Sequence, residues 1–288
     1  LNVNALLDGS MAATSDCIVL LDNGSLRAAA TLQLRALAKA LGENLGKEVH
    51  PVSLLHSSKI DPQEIEGQKA QTFVPFLRSK RETGVCSFTV VPLFFGPSGA
   101  LVDYLPKRVE DLRLEGWSEL EVNIAPTLVR EDDLRIAEIM AKLVRDQMKE
   151  MAWEHPVVAM CDHGTPAKPV NDVRELVARQ LSSLLASEVR RVRSCSMERR
   201  EGKEYDFNEP LLERLLGAEG FEQKVIVSML FAGPGRHAGE NGDVAVICAD
   251  ARKVNERLKT QMTALVGSEV DALVEVLADR YMETQYKG

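Results

Sequence analysis

The stretch Lys224 to Asp243, KVIVSMLFAGPGRHAGENGD, decides the fold that we predict for this chain. It begins as an apolar segment, Val225 to Phe231, and continues into a glycine-rich turn that carries His237. A continuous apolar run of this kind is typical of strands in parallel sheets that are covered on both faces. Ligands in such folds bind beyond the carboxyl ends of the strands, so the pattern places His237 where a ligand would be met.

Similar apolar runs recur along the chain and alternate with helical patterns. The other predicted strands are Cys17–Leu21, Val49–Leu55, Cys86–Phe95, Leu120–Ile124, Pro156–Cys161, Val189–Cys195 and Val244–Ala249. The predicted helices cover residues 26–45, 62–83, 131–151, 171–186, 209–216 and 254–281. Strands that alternate with helices predict an α/β fold with mainly parallel sheets.

Two series of these elements match each other in sequence. VLLDNGS (19–25) aligns with AMCDHGT (159–165), and VVPLFFGPSGAL (90–101) aligns with IVSMLFAGPGRH (226–237). A repeat of this length indicates two copies of one domain. We therefore predict two tandem α/β domains of flavodoxin-like type, residues 1–150 and 151–288, each a mainly parallel sheet flanked by helices.

The two copies differ in the residues that could carry chemistry. The second copy has His163 and His237 at the ends of two strands, where the alignment gives Asn23 and Leu101 in the first copy. The carboxyl ends of neighbouring parallel strands lie at one edge of a sheet, so the two histidines are expected to lie close together.

Composition limits the class of protein. The chain has 288 residues and a net charge of −8, which argues against a nucleic-acid surface as its main function. It has no run of about 18 apolar residues, so no membrane span is expected. The five cysteines form no C-x-x-C pair, which favours buried thiols in a reducing compartment. We expect a cytoplasmic protein, or one in an organelle stroma if a targeting peptide was removed.

The motifs DHGTP (162–166) and SMLFAGPGRHAGENGD (228–243) resemble those of the sirohydrochlorin cobaltochelatase/ferrochelatase family, the class II chelatases. Long members of that family consist of two such domains facing across a cleft. The resemblance is weak over the whole chain, and Ser228 stands where the family often has Pro. It implies a chelatase that inserts Co²⁺ or Fe²⁺ into sirohydrochlorin or a related tetrapyrrole, for cobalamin or sirohaem synthesis.

The resemblance also implies a third site residue. Family members use an acidic residue at the end of the second strand of the domain, and RVRSCSMERR (191–200) places Glu198 there. The alignment gives Ser58 as its counterpart in the first copy. The first copy thus lacks all three residues, which implies one working site per chain, in the second copy.

Metal insertion requires the macrocycle to lose two N–H protons and the ion to lose water. His163 and His237 are the candidate catalytic residues, with Glu198 third; neutral imidazoles can hold the metal or accept the protons, and the two roles remain open. Arg236, Arg199 and Arg200 are candidates for binding substrate carboxylates, and Gly235 for a close approach of the backbone. The metal is then a substrate, and no organic cofactor is expected.

Two other functions compete with this interpretation. One is a non-catalytic protein that binds a metal or a tetrapyrrole, because the first copy shows that the site can be lost. The other is a nucleotide-binding domain, suggested by Gly233-x-Gly235-x-x-x-Gly239; it is disfavoured because GENGD is expected not to open a helix. Hydrolases find no support, since the chain has no G-x-S-x-G motif.

The remaining histidines, His50, His56 and His155, have no such context and are expected to be structural or surface residues. We expect the chain to be a monomeric pseudo-dimer or a homodimer.

Overall fold

The computed structural model describes residues 16–239 and 241–286, and it contains two four-stranded sheets in which every ladder is parallel. The first sheet has the order β2-β1-β3-β4, with β1 Cys17–Asp22, β2 Val49–Ser53, β3 Ser87–Pro92 and β4 Glu121–Ile124. The second has the order β6-β5-β7-β8, with β5 Val157–Asp162, β6 Arg191–Ser196, β7 Lys224–Met229 and β8 Lys259–Met262. The predicted α/β fold with two parallel sheets is confirmed.

Eight α-helices flank the sheets in the described part of the chain. They are α1 Ala28–Leu45, α2 Phe73–Arg81, α3 Leu105–Leu114, α4 Arg135–Met151, α5 Lys168–Leu184, α6 Leu212–Leu215, α7 Asp243–Val254 and α8 Val270–Gln285. Helix α1 shows why these segments are helical. Leu34, Leu37 and Leu41 recur at three- and four-residue steps and are buried on one face. The helix ends at Gly46, which adopts a left-handed conformation with φ 62°.

The last part of the chain differs from the prediction. The predicted strand Val244–Ala249 is helical and belongs to α7, and the predicted helix over residues 254–281 contains the strand β8. A short apolar run does not distinguish a strand from a helix. Here Val244 and Cys248, four residues apart, are buried, while Val246 between them is exposed. The expectation that GENGD opens no helix is also wrong, because α7 begins at Asp243.

Backbone hydrogen bonds show which positions of the two halves are equivalent. The Leu55 N–H donates to Asn23 O in the first half, and the Glu198 N–H donates to His163 O in the second. The counterpart of Glu198 is therefore Leu55, and the match with Ser58 is wrong. The connection between the first two strands is longer in the second half, so a constant sequence offset misplaces this residue.

The second motif needs a smaller correction. Leu93 and Leu230 are equivalent, because their N–H groups donate to Leu21 O in β1 and to Cys161 O in β5. Each acceptor is the second-last residue of its strand. Counting onward from this pair, the Gly-Pro dipeptides of the two halves coincide, and His237 matches Ala100 rather than Leu101. The first half lacks an imidazole at this position in either alignment.

Helices α4 and α8 each pack against the half of the molecule to which they do not belong in sequence. Helix α4 packs against α5 and β7 of the second half, and α8 packs against α1 and β3 of the first. One hydrophobic core accordingly contains residues of both sheets and all four of these helices. The division at residues 150 and 151 stays a prediction, and separate halves cut there would each lose a helix that covers their sheet.

Buried Arg280 of α8 anchors this packing. Its guanidinium donates to the carbonyl oxygens of Thr127 and Leu128 and forms an ion pair with Asp133, 2.6 Å away. The hydrogen bond from Arg135 lowers the pKa of Asp133, and the hydrogen bond from Arg280 lowers it further by a smaller amount. The contact joins the end of the chain to the segment after the first sheet.

No helix in the part of the chain that the structure describes has the length and apolar character needed to cross a membrane.

Candidate functional site

The first candidate residue, His163, follows directly after the central strand β5. The next residue, Gly164, has φ 93°, and a Cβ at this position would collide with the carbonyl oxygen of Glu198. Only glycine therefore allows this turn to lie against the end of β6. The close approach brings the backbone of Glu198 next to His163, as the hydrogen bond between them shows.

The second candidate, His237, lies in the loop between β7 and α7, and the structure places its ring beside that of His163. The two ring centroids are 4.5 Å apart and the ring planes are inclined by 67°. The rings come together because β5 and β7 are neighbours in register, so that their carboxyl ends open at the same edge of the sheet. The expected proximity of the two histidines is thus what the structure contains.

Asp243, which sequence reasoning missed, orients His237. Its Oδ2 lies 2.7 Å from Nδ1 of His237, and it is the first residue of α7. An ionised carboxylate accepts the Nδ1–H, and the lone pair of a neutral imidazole is then on Nε2. An aspartate at the start of a helix is a recognisable signal, but the wrong strand prediction for this segment concealed it.

His163 makes a different set of contacts. Its Nδ1 lies 3.0 Å from the carbonyl oxygen of Gly164, and its Nε2 lies 3.4 Å from Oε1 of Glu198. A neutral ring that donates Nδ1–H to this carbonyl has its lone pair on Nε2, opposite a carboxylate oxygen. Two electron-pair donors at this distance are favourable when they share a proton or a cation.

The three candidate residues are neighbours without being a preformed metal site. Within the described residues, no group of three or more His, Cys, Asp and Glu side chains is arranged to hold a metal ion. Glu198 and His163 are in contact, and His163 and His237 are in contact, so a shared ion would require small side-chain movements. Both histidine rings are at least partly exposed.

A buried polar network supports the turn that carries His163. Oδ1 of Asp162 accepts hydrogen bonds from the Ser196 hydroxyl, at 2.6 Å, and from the Gly164 N–H, at 3.1 Å. Arg174, which is 2% exposed, donates to Ser196 and lies 3.8 Å from the same carboxylate oxygen. Burial raises the pKa of Asp162, and the charge of Arg174 opposes this effect.

Asn208 fixes the next part of the turn. Its side-chain oxygen accepts the Thr165 N–H, and its amide donates to the Thr165 carbonyl, both at 2.9 Å. The side chain is completely buried. This two-way contact holds the backbone that follows His163, and nothing in the local sequence around Asn208 indicated it.

The three predicted arginines lie in different environments. Arg199 is paired with Asp206 at 2.6 Å and with Glu209 at 3.0 Å, so its charge is already balanced by protein carboxylates. Arg200 is exposed and stands over the ring of Tyr205. Arg236 is 78% exposed and only loosely paired with Asp243, at 3.7 Å, which leaves it accessible to a ligand.

A cleft of about 900 Å³ separates the two halves beside the histidines. Its second wall includes His163 and the segment 230–238, and its first wall includes the segment 22–27 and the aromatic pair Phe94 and Phe95. Gly235 lines the cleft opposite Ser25, and the close approach of its backbone to a substrate stays a prediction. Glu198, Arg199 and Arg200 are not among the described residues that line it.

One of the set-aside histidines, His56, also lines the cleft. It follows the end of β2 in the first half and has a positive φ of 68°, which is uncommon for histidine. It directly follows Leu55, the counterpart of Glu198 in the second half.

Known structures with this fold were found, although no protein-family model and no curated protein matches the chain. SirB from Bacillus subtilis, solved with Fe³⁺, has a TM-score of 0.65 and 13% identity, and the match covers 93% of this chain and 95% of that one. DR2241 from Deinococcus radiodurans, a multi-domain protein described as structurally similar to chelatases, has a TM-score of 0.62 and 18% identity; the match covers 93% of this chain and 55% of DR2241.

CbiX, described as the terminal enzyme for biosynthesis of siroheme in denitrifying bacteria, has a TM-score of 0.57 and 12% identity, and the match covers 92% of this chain and 99% of CbiX. Similarity at these identities establishes the fold. The chain therefore shares the α/β fold of these structures, with its two adjacent histidines on the second wall of the cleft between the halves.

Proposed function

We propose that this protein is a metal chelatase that inserts a divalent ion, Co²⁺ or Fe²⁺, into a sirohydrochlorin-like tetrapyrrole. The observation that carries the proposal is the contact between the rings of His163 and His237 on the wall of the cleft between the halves. Imidazole is a good ligand for both ions, and two imidazoles side by side offer two donors to one ion.

The reaction exchanges two pyrrole N–H protons for one metal ion. The ion loses water, its bonds to the ring nitrogens form, and two protons pass to acceptors at the site. The lone pairs on Nε2 of His163 and His237 serve these steps either as transient metal ligands or as proton acceptors. The carboxylate of Glu198, 3.4 Å from His163, provides a further acceptor that can take a proton onward to solvent.

Asp243 positions His237 for this work. A carboxylate that accepts the Nδ1–H selects the neutral tautomer whose lone pair is on Nε2 and holds the ring in one orientation. Asn208 and Asp162 do the same for the turn that carries His163, through its backbone. Catalytic geometry is preserved when such supporting contacts limit the movement of the side chains that react.

The cleft matches the proposed substrate in size and character. Its volume lies at the upper end of the range of about 300 to 1,000 Å³ that is usual for small-molecule sites. Phe94, Phe95 and Phe231 provide apolar and aromatic surface for a flat ring. Arg236 lies at the same cleft and supplies a cation for a carboxylate at the edge of the ring.

Further parts of the proposal follow from the resemblance. The product would enter sirohaem or cobalamin synthesis, the metal would be a substrate, and no organic cofactor would take part. The protein would act in the cytoplasm or an organelle stroma, as a monomeric pseudo-dimer or as a homodimer.

A second candidate is a protein that holds a tetrapyrrole or a metal without catalysing insertion. It is favoured by two observations: no three-donor metal site is preformed in the described residues, and Glu198 is not among the described residues that line the cleft.

The test uses sirohydrochlorin with Co²⁺ or Fe²⁺ and follows the change in the absorption of the chromophore. The proposed function predicts a faster change with wild-type protein than without protein, and loss of this acceleration in the double variant His163→Ala, His237→Ala. His155→Ala is the matched control, since His155 is exposed and lies at the opposite end of β5. Wild-type protein that binds the tetrapyrrole and does not accelerate insertion supports the second candidate. Equal rates for wild type and the double variant contradict the enzyme.

A further inference from the structure

The first wall of the cleft carries an arginine to which the sequence assigned no role. Arg27 immediately precedes α1, is exposed and lines the cleft. Its backbone N–H is bound to the Ser25 hydroxyl at 3.1 Å, which fixes the main chain from which the side chain extends. In the described part of the chain, no Asp or Glu oxygen lies within 4.0 Å of the guanidinium.

The charge of the cleft differs from that of the whole protein. The chain has a net charge of −8, yet the charged side chains that line the described cleft are Arg27, Arg236 and a single carboxylate, Asp22. The two arginines belong to opposite walls. An acidic protein that keeps two cations and one carboxylate at a cleft is suited to an anionic ligand.

Apolar surface lies next to Arg27. Leu26 is 64% exposed and lines the cleft beside it, and Phe94 and Phe95 belong to the same wall. An exposed leucine and two partly buried phenylalanines next to an accessible cation suit a ligand that is flat and apolar at its centre and anionic at its edge. A tetrapyrrole with peripheral carboxylates has this distribution of charge.

The second half has no cation at the position equivalent to Arg27. Helices α1 and α5 are preceded by equivalent residues, Arg27 in the first half and Ala167 in the second. At this position the half without the two histidines therefore has an arginine, and the half with the histidines has an alanine.

We propose that Arg27 binds a peripheral carboxylate of the tetrapyrrole, so that the first half recognises the substrate that the second half acts on. The inference rests on the proposed function. The proposal requires the positive charge of the Arg27 side chain and does not depend on how that side chain packs.

Binding of metal-free porphyrins tests the inference without catalysis. Quenching of porphyrin or protein fluorescence gives the affinity of the full chain for uroporphyrin, which has eight carboxylates, and for coproporphyrin, which has four. Arg27→Ala should weaken uroporphyrin binding by about fivefold at low salt, the factor that corresponds to an ion pair of about 1 kcal/mol. The loss should shrink at high salt because the interaction is screened.

Two further variants separate charge from packing. Arg27→Lys should recover part of the affinity, since it keeps the charge and loses the planar fork. Arg257→Ala is the matched control. Arg257 is an exposed arginine just before the amino end of β8, whereas the cleft lies beyond the carboxyl ends of the strands. This variant should bind both porphyrins as the wild type does.

The outcomes distinguish this inference from the proposed function. Equal affinities of wild type and Arg27→Ala overturn the role of Arg27 and leave the chelatase proposal in place. A loss that is the same at low and high salt and is not recovered by lysine also overturns it. If wild-type protein binds neither porphyrin and also fails to accelerate metal insertion into sirohydrochlorin, the proposed function is wrong and this inference falls with it.

Discussion

The turns after β1 and β5 have the same backbone and different side chains. DNGS follows the first central strand where DHGT follows the second, and both glycines have positive φ, 88° for Gly24 and 93° for Gly164. A Cβ at Gly24 would collide with the carbonyl of Leu55, and a Cβ at Gly164 would collide with the carbonyl of Glu198. The shape of the turn is therefore a property of the fold, and the histidine is a property of one half.

The support beneath the two turns also differs. Asp162 has bonds from Ser196 and Gly164 and the charge of Arg174 nearby, whereas the position of Arg174 in the first half is occupied by Leu34. Oδ1 of Asp22 is buried without a hydrogen-bond partner in the described structure. Burial raises the pKa of Asp22 to about 6, outweighing the nearby donors Ser53 and Gly24. A buried polar network accompanies the candidate site and is missing where the site is missing.

The largest expected effect comes from making the second turn like the first. His163→Asn gives the sequence DNGT and should reduce the rate of metal insertion by about 10³-fold, the scale of losing a general base or a ligand. The converse change, Asn23→His, should leave the rate of the wild type unaltered and should not rescue His163→Asn, because Leu55 stands where Glu198 would be needed. Initial rates with sirohydrochlorin measure both. Full activity of His163→Asn would contradict the role of this residue.

The next effect concerns the buried arginine. Arg174→Leu copies the first half and should lower the free energy of unfolding by about 3 kcal/mol, because it leaves the buried Asp162 without its cation and removes the hydrogen bond that Arg174 donates to the Asn208 carbonyl. Urea denaturation measures the change. Arg179→Leu on the exposed face of the same helix is the control and should change stability by less than about 0.5 kcal/mol. Equal effects of the two substitutions would show that the network adds nothing to stability.

Removing the two-way contact of Asn208 should have a smaller effect. Asn208→Ala leaves the partly buried N–H and carbonyl of Thr165 without partners and should cost about 2 kcal/mol of stability. It should also lower the insertion rate at temperatures where the protein is fully folded, because the turn that carries His163 is less constrained. Thr83→Ala, which removes an exposed side-chain hydrogen bond within the first half, should not change the rate. A rate unchanged in Asn208→Ala would limit Asn208 to a structural role.

The smallest expected effect on stability concerns Asp22, which lacks the arginine partner that Asp162 has in the second half. The pKa of Asp22 is higher in the folded protein than in the unfolded chain, so ionisation of Asp22 disfavours the folded state. Its unfavourable contribution is absent below about pH 4 and develops as the pH rises through about 6. Asp22→Asn should therefore be more stable than wild type at pH 8, by about 1 kcal/mol, and nearly equal to it at pH 4. Thermal denaturation at the two pH values gives the difference, and a gain that is the same at both would exclude titration of Asp22 as its cause.

Much of the fold could be predicted from sequence because buried parallel strands are apolar throughout. Seven of the eight strands correspond to apolar runs recognised in this way, and the exception, β8, has the sequence KTQM. This short strand lies at the edge of its sheet and buries little, so hydrophobicity does not mark it. Helix α7 was mistaken for a strand because its apolar residues are consecutive, and only packing decides which of them face the core.

The sequence by itself determined the α/β class, the glycine-rich turns and the two histidines as the residues to examine, because strand periodicity and glycine requirements are local. Tertiary structure decided which residues match between the halves, since a longer connection in one half breaks any constant offset. It also decided that Asp243 holds His237, that Arg199 is already paired and that Arg27 faces the cleft. These three contacts depend on which side chains come close together in the folded protein, and a local sequence pattern does not determine that.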